Sequence, residues 1–238
     1  MLRILFFCAF LILCFTSNAQ LINDSKNQSR FSFNQKNTLS FGIDAYSSFR
    51  ELSPNTAFLS TPLGEREHET PQWMTSYSLR VEIPVFRIFK INSGLSFQQN
   101  GESYNWKSES TDSSFAYQTS FKYIGMPIQL SIEYGNKLSI YGALGISPAI
   151  FNSFLQKSQW TNELGSSDSE EISIQDNCNS FIISFQSNLG FHYHITQQFG
   201  MQLSALYRRQ LNNTYKEYED YIHKAYALGF NLAISYQF

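Results

Sequence analysis

The sequence predicts an all-β protein, an up-and-down antiparallel transmembrane β-barrel of eight strands preceded by a signal peptide. Three observations predict it. Segments in which apolar and small or polar residues alternate recur along the chain, the period of a strand with two unlike faces. The connections between those segments are alternately long and short, as in membrane barrels with short turns on one rim and long loops on the other. The last stretch, Ala225 to Phe238, sets Tyr226, Leu228, Phe230, Leu232, Ile234, Tyr236 and Phe238 against Ala227, Gly229, Asn231, Ala233, Ser235 and Gln237. An apolar row of this length, above about 10 residues, suits the wall of a membrane barrel.

Residues 1–19 read as the signal peptide: Arg3, then the apolar run Ile4 to Phe15, then Ser17-Asn18-Ala19 as a small-x-small cleavage pattern. The run is shorter than the roughly 18–20 residues that span a bilayer as a helix. Cys14 raises a lipoprotein alternative, which Leu13 before it disfavours. Residues 20–36 are polar and read as a flexible lead-in, and 37–238 form the barrel domain. Cys8 and Cys14 leave with the signal, so Cys178 has no partner for an intramolecular disulfide.

The first strand is expected at 37–48, with Leu39, Phe41, Ile43 and Ala45 on one face and Ser40, Gly42, Asp44 and Tyr46 on the other. A long loop to Pro71 leads to the second, 72–86, with Trp73, Tyr77, Leu79, Val81, Ile83 and Val85 opposite Met74, Ser76, Ser78, Arg80 and Glu82. Arg87 to Lys90 is a short turn before the third, 91–100, and a second long loop covers 101–115. In the fourth, 116–134, the apolar residues change from odd (Tyr117, Phe121, Tyr123) to even (Met126, Ile128, Leu130, Ile132). Such a change is what a bulge at Gly125 and Pro127 would produce. The turn at Gly135-Asn136-Lys137 precedes the fifth, 138–151; an acidic loop, 152–179, leads to the sixth, 180–195. The short link 196–198 leads to the seventh, 199–211, and the loop 212–224 to the last. Tyr134, Tyr193, Phe199, Tyr236 and Phe238 should girdle the short-turn rim, and Trp73, Tyr117, Phe181, Tyr207 and Tyr226 the other.

Charged residues make up 15% of the 238, aromatic residues 16%, and the net charge is -2. This balance gives no reason to expect nucleic acid as a partner. Mean hydropathy of -0.27 is compatible with a barrel, because only every second strand residue faces lipid. Asp44, Arg80, Glu82, Lys122, Glu133, His192, His194 and Arg208 fall on the predicted interior face. Buried charges there must be paired, and Asp44 with Arg80, at similar depth on successive strands, is the expected pair. An eight-stranded barrel is filled by its own side chains, which argues against a diffusion pore.

His192 and His194, at i and i+2, share a face and could share a metal, but no Cys or carboxylate stands beside them in sequence, so packing is the simpler reading and no metal or other cofactor is expected. His68 and His223 lie in predicted outer loops without an ordered Ser–His–acid set, so no catalytic site is expected. The alternatives are a lipid-modifying enzyme on the same fold, or an exported soluble barrel that binds a small apolar ligand. The partners expected are membrane lipid and a protein engaged through the long loops.

Four stretches carry a family resemblance: Ile83–Phe97 (IPVFRIFKINSGLSF), Tyr123–Leu130 (YIGMPIQL), Tyr141–Pro148 (YGALGISP) and the closing strand with terminal Phe238. Together they resemble the outer-membrane β-barrel family of the PorT type from Gram-negative bacteria. The resemblance implies a barrel in the cell outer membrane, a link to secretion, and a closing pattern, ending in Tyr236 and Phe238, that looks like the signal read by the barrel-assembly machinery; a structural or adhesive use, or a place in a membrane assembly, is expected from the extracellular loops.

Overall fold

The computed structural model describes residues 36–53, 68–86, 88–173, 177–216 and 222–238. The predicted signal peptide and nearly all of the lead-in lie outside them. The described residues form β1 (Thr38–Ser53), β2 (Glu69–Phe86), β3 (Phe89–Asn100), β4 (Glu102–Lys107), β5 (Ser114–Gly125), β6 (Ile128–Gly135), β7 (Leu138–Thr161), β8 (Ser167–Ile172), β9 (Phe181–His194), β10 (Phe199–Gln210) and β11 (Ile222–Gln237).

Every pairing is antiparallel, and the sheet closes on itself. β1 pairs with β2, and β2 with both β3 and β4. β3 pairs with β5 and β6, and β4 with β5. β5 and β6 both pair with β7, then β7 with β9, β9 with β10, β10 with β11, and β11 with β1. Closure leaves the ring without an open edge.

Among the described residues there are eleven strands, not the eight expected. Two wall segments are each broken in two, and one strand is added. β3 and β4 run end to end along β2, parted at Gly101, where a Cβ would lie 2.5 Å from the carbonyl oxygen of Thr119. β5 and β6 run end to end along β7, parted at Met126-Pro127. β8 folds back on the far end of β7. Much of the predicted loop 101–115 is therefore strand, and the turn there is only 108–113.

The expected bulge is not at Gly125 and Pro127. Odd residues from Tyr117 to Glu133 face inward throughout. The shift lies across the ladder in β7, where Lys122 opposes Ser153 but Tyr123 opposes Phe151, leaving Asn152 extra. Ser147 and Ala149 face inward before it, and Phe154 and Ser158 after it.

Two corrections follow. Tyr117, Phe121 and Tyr123 are buried inside the ring, not displayed on it, so Tyr117 belongs to no girdle. Lys122, expected inside, alternates with them and points outward, half-buried. The physical reason is a change of polarity along the wall. From Leu138 to Ile150 the outward residues of β7 include Leu138, Ile140, Leu144, Ile146 and Ile150, and the inward ones include Ser139 and Ser147. Beyond Ile150 and Ile124, the outward residues are mostly polar, Lys122, Ser120, Gln118, Lys157 and Gln159, with Leu155 and Ala116 among them. There an apolar cluster of Phe121, Tyr123, Ala149, Phe154, Cys178 and Ile182 stands inside, beside the buried polar groups Thr119, Ser158, Glu102 and His223.

The apolar outer band runs right round the ring: Leu39, Phe41, Leu79, Ile83, Ile91, Leu95, Leu130, Ile140, Leu189, Leu203, Leu232 and Ile234 are all exposed on it. At its short-turn rim, Tyr134, Tyr193, Phe199, Tyr236 and Phe238 are exposed, with Phe199 and Tyr236 rings 5.1 Å apart. At the other rim Trp73 and Phe181 are exposed, Tyr207 packs on Phe185, and Tyr226 stacks on Phe49 at 4.8 Å.

Candidate functional site

The interior is polar through the height of the apolar band, and its groups fall into three tiers. The tier at the short-turn end is built on Glu133. Its Oε2 accepts from Lys90 Nζ at 2.6 Å, and Lys90 Nζ is also 3.8 Å from Glu82. Its Oε1 accepts from Ser139 Oγ at 2.6 Å and lies 2.8 Å from His192 Nδ1 and 2.9 Å from His194 Nε2. Glu82 in turn accepts from Asn92 at 3.3 Å and from the Tyr141 hydroxyl at 3.1 Å.

Strand register makes this tier. Glu133 opposes Tyr141 on β7, Ser139 opposes His192 on β9, and His194 opposes Gly200 on β10. Gly200 also opposes Ser235 on β11. A Cβ at Gly200 would stand 2.4 Å from His192 Nε2, so the missing side chain is what admits the imidazole. The outer ring nitrogens are held too: His192 Nε2 lies 2.9 Å from Ser235 Oγ, and His194 Nδ1 3.2 Å from the Gln237 amide. Glu133, His192 and His194 thus bring three ligand-type atoms within 4.8 Å of one another. The carboxylate that the local sequence does not provide comes from β6, two strands along the wall from β9.

In the middle tier Asp44 and Arg80 both face inward and are buried, but they do not pair directly as expected. Asn231 joins them: its amide donates to Asp44 Oδ1 at 2.6 Å, and its Oδ1 accepts from Arg80 at 3.3 Å. The register explains this, because Asp44 opposes Asn231 on β11 and Ser76 on β2, whereas Arg80 opposes Ser40. Beside them Arg208 donates to the carbonyl oxygen of Gln99 at 2.8 Å and to Asn100 at 3.2 Å.

The third tier lies beyond the outermost apolar residue of β3, Phe97, toward the long-loop end. Glu102 is 2.9 Å from His223 Nε2 and accepts from Arg50 at 3.2 Å; Arg50 also contacts Glu69. Burial pushes the Glu102 carboxyl up, but His223 and Arg50 hold it below the usual carboxylate range. Tyr104 and Tyr117 stack at 5.3 Å above them, and burial, with Glu102 nearby, pushes the Tyr117 phenol up to about 12. Burial also pushes the Cys178 thiol up to about 11, which makes it a packing group and a poor nucleophile.

Of the residues singled out in the sequence, Asp44, Arg80, Glu82, Glu133, His192 and Arg208 are buried, His194 faces in at the rim, and Lys122 is outside. Tyr236 and Phe238 lie on the outer rim, and the Phe238 amide donates to the Asn37 carbonyl at 3.0 Å. Lys90, Glu102 and His223, which the sequence predicts in a turn and in loops, each lie in a strand and are buried. Carrying the alternation outward from Asn92 and from Ala225 would have placed Lys90 and His223 on the interior face.

No protein-family model matches the chain, and no curated protein matches it in sequence. Solved structures similar to it include Ail, the attachment invasion locus protein of Yersinia pestis, in complex with the heparin analogue sucrose octasulfate, at 14% identity and TM-score 0.37 over 85% of this chain and 99% of that one. Neisserial surface protein A is similar at 11% identity and TM-score 0.38 over 85% and 97%. The outer membrane protein OprG from Pseudomonas aeruginosa is similar at 12% identity and TM-score 0.45 over 85% and 96%. With TM-scores this low, the likenesses carry no argument, and the closed antiparallel ring rests on this chain's own pairing.

Proposed function

We propose that the chain is an integral β-barrel protein of the bacterial outer membrane, of the PorT type, closed to solutes and without catalysis. Its work is structural or adhesive, or that of a partner in an outer-membrane, secretion-related assembly. The observation that carries this reading is the change of wall polarity at Ile124 and Ile150. Below it the ring is apolar outside and largely polar inside; above it, on the β5–β7 side, the outside is mostly polar and an apolar cluster stands inside. A soluble barrel has no reason to change faces partway up. A wall that leaves lipid and enters water must, because each solvent draws the matching side chains.

On this reading lipid surrounds the band, the barrel-assembly machinery inserts the chain through Tyr236 and Phe238, and the long-loop end is extracellular. The face available to a protein partner is the extension built from β4, the far half of β5, the far end of β7, and β8. The absence of a conduction role is supported by the packed interior, where Tyr46, Arg80, Asn92, Gln129, Asn188 and Arg208 are buried.

Cell fractionation followed by gel mobility with and without boiling tests the proposal. Recovery in the outer membrane with a heat-dependent shift is expected, with no conductance above baseline in planar bilayers. Recovery in a detergent-free soluble fraction with no shift would overturn it.

A further inference from the structure

We propose that Glu133, His192 and His194 form a site for one divalent transition-metal ion of the zinc class, at the short-turn end of the barrel interior. The inference depends on the closed ring and not on which solvent surrounds it.

The donor set is Glu133 Oε1, His192 Nδ1 and His194 Nε2, within 4.8 Å of one another. Two imidazole nitrogens and one carboxylate oxygen, with a fourth position left to water, are a set that zinc accepts. Bonds of about 2.0 Å in a tetrahedral site place ligands about 3.3 Å apart. The carboxylate oxygen stands 2.8 and 2.9 Å from the two nitrogens and all three atoms lie within 4.8 Å of one another, so metal binding requires the oxygen to move out and the imidazoles to adjust around it. The three ligands come from β6 and β9, strands paired on both sides, which keeps the arrangement stiff.

The surroundings are those of a metal site as well as a hydrogen-bond cluster. Ligating imidazoles are oriented through their outer nitrogens, which donate to an acceptor; Ser235 Oγ provides one for His192, while at His194 the Gln237 amide nitrogen donates to Nδ1, so metal binding requires that amide to turn its oxygen to the ring. Lys90 is the evident rival, but it holds Oε2 and leaves Oε1 to the histidines. Ser139, which also donates to Oε1, has a second acceptor in the His192 carbonyl at 3.1 Å and can turn to it. Glu82, beside Lys90, adds a second carboxylate against the single ammonium, so the tier favours an added cation. Access is from the side of His194, whose side chain is 16% exposed against 5% for the other two.

The test uses the untagged protein folded in detergent, stripped with a chelator and titrated with Co²⁺, read by calorimetry and by visible absorption, then with Zn²⁺ in competition. One equivalent of Co²⁺ should bind with the intense absorption of a tetrahedral site, and Zn²⁺ should displace it. H192N/H194N should weaken binding at least about 100-fold, and S235A, which leaves every ligand in place, about 10-fold. Heat-dependent gel mobility checks that each variant is folded. If a variant does not fold, Zn²⁺ protection of His192 and His194 in the unmutated protein from carbethoxylation, read by mass spectrometry, decides instead. Failure to saturate at one equivalent, unchanged affinity in the folded double variant, or equal labelling with and without Zn²⁺ would overturn the proposal.

Discussion

The guanidinium of Arg208 lies over the ring of Tyr46, 4.7 Å from its centroid, while the same group donates to the Gln99 carbonyl and to Asn100. Both residues are buried inside the ring. Arg208→Ala removes a desolvated cation–π contact and leaves two acceptors without this donor. A loss of about 3 kcal/mol in unfolding free energy is expected. Urea titration of the folded protein in detergent measures it; Tyr46→Phe should cost less, because the ring stays.

Asn231 is the hinge between Asp44 and Arg80. Asn231→Ala should cost about 2–4 kcal/mol, since it leaves a buried carboxylate and a buried guanidinium without their bridge. If Asn231 couples them, the effects of Asp44→Asn and Arg80→Gln will be non-additive in the presence of Asn231 and closer to additive in its absence. A double-mutant cycle run in both backgrounds measures that difference.

Glu102 makes stability depend on acid. Burial raises its carboxyl, His223 and Arg50 lower it further, and the net displacement is downward. A group whose folded-state value is depressed contributes stability that is fully present above its unfolded value and is lost as pH falls through the folded one. Unfolding free energy should therefore drop as pH is lowered below about 5. Glu102→Gln should flatten that drop while lowering stability at neutral pH. Equal slopes in the two proteins would remove Glu102 from the account.

Gly200 leaves the space that His192 fills. Gly200→Ala should push the imidazole off Ser235 and cost about 1–3 kcal/mol by overpacking. Histidine nitrogen chemical shifts in the folded protein would report the lost contact directly.

Phe238 closes the outer aromatic rim, stacked loosely on Tyr236 at 6.4 Å. Its deletion should lower the yield of heat-shifted barrel in the outer membrane more than it lowers export, measured by fractionating the envelope. A normal yield would count against an assembly role for this residue.

Much of the barrel was legible because alternation survives without a partner in view. Leu39, Phe41, Ile43 on β1 and Leu228, Phe230, Leu232 on β11 declare their faces by period alone, and both rows lie outside as expected. β5 departs from the sequence expectation for a definable reason. One solvent arrangement along the whole strand puts Phe121 and Tyr123 on the apolar outer row and Lys122 inside. Above the band the outer row is mostly polar and these rings turn inward, and the bulge, at Asn152, lies in a segment the sequence predicts as loop.

The sequence by itself determined the strand period, the two unlike faces, the order of long and short connections and most of the interior polar residues, because these depend on near neighbours along one chain. The tertiary structure decided which of those residues meet. Lys90 with Glu133, Glu133 with His192 and His194, Asn231 between Asp44 and Arg80, and Glu102 with His223 all join strands far apart in sequence. Such meetings depend on the register and closure of the whole ring, and a shift of one residue in either would turn each of these groups to the opposite face.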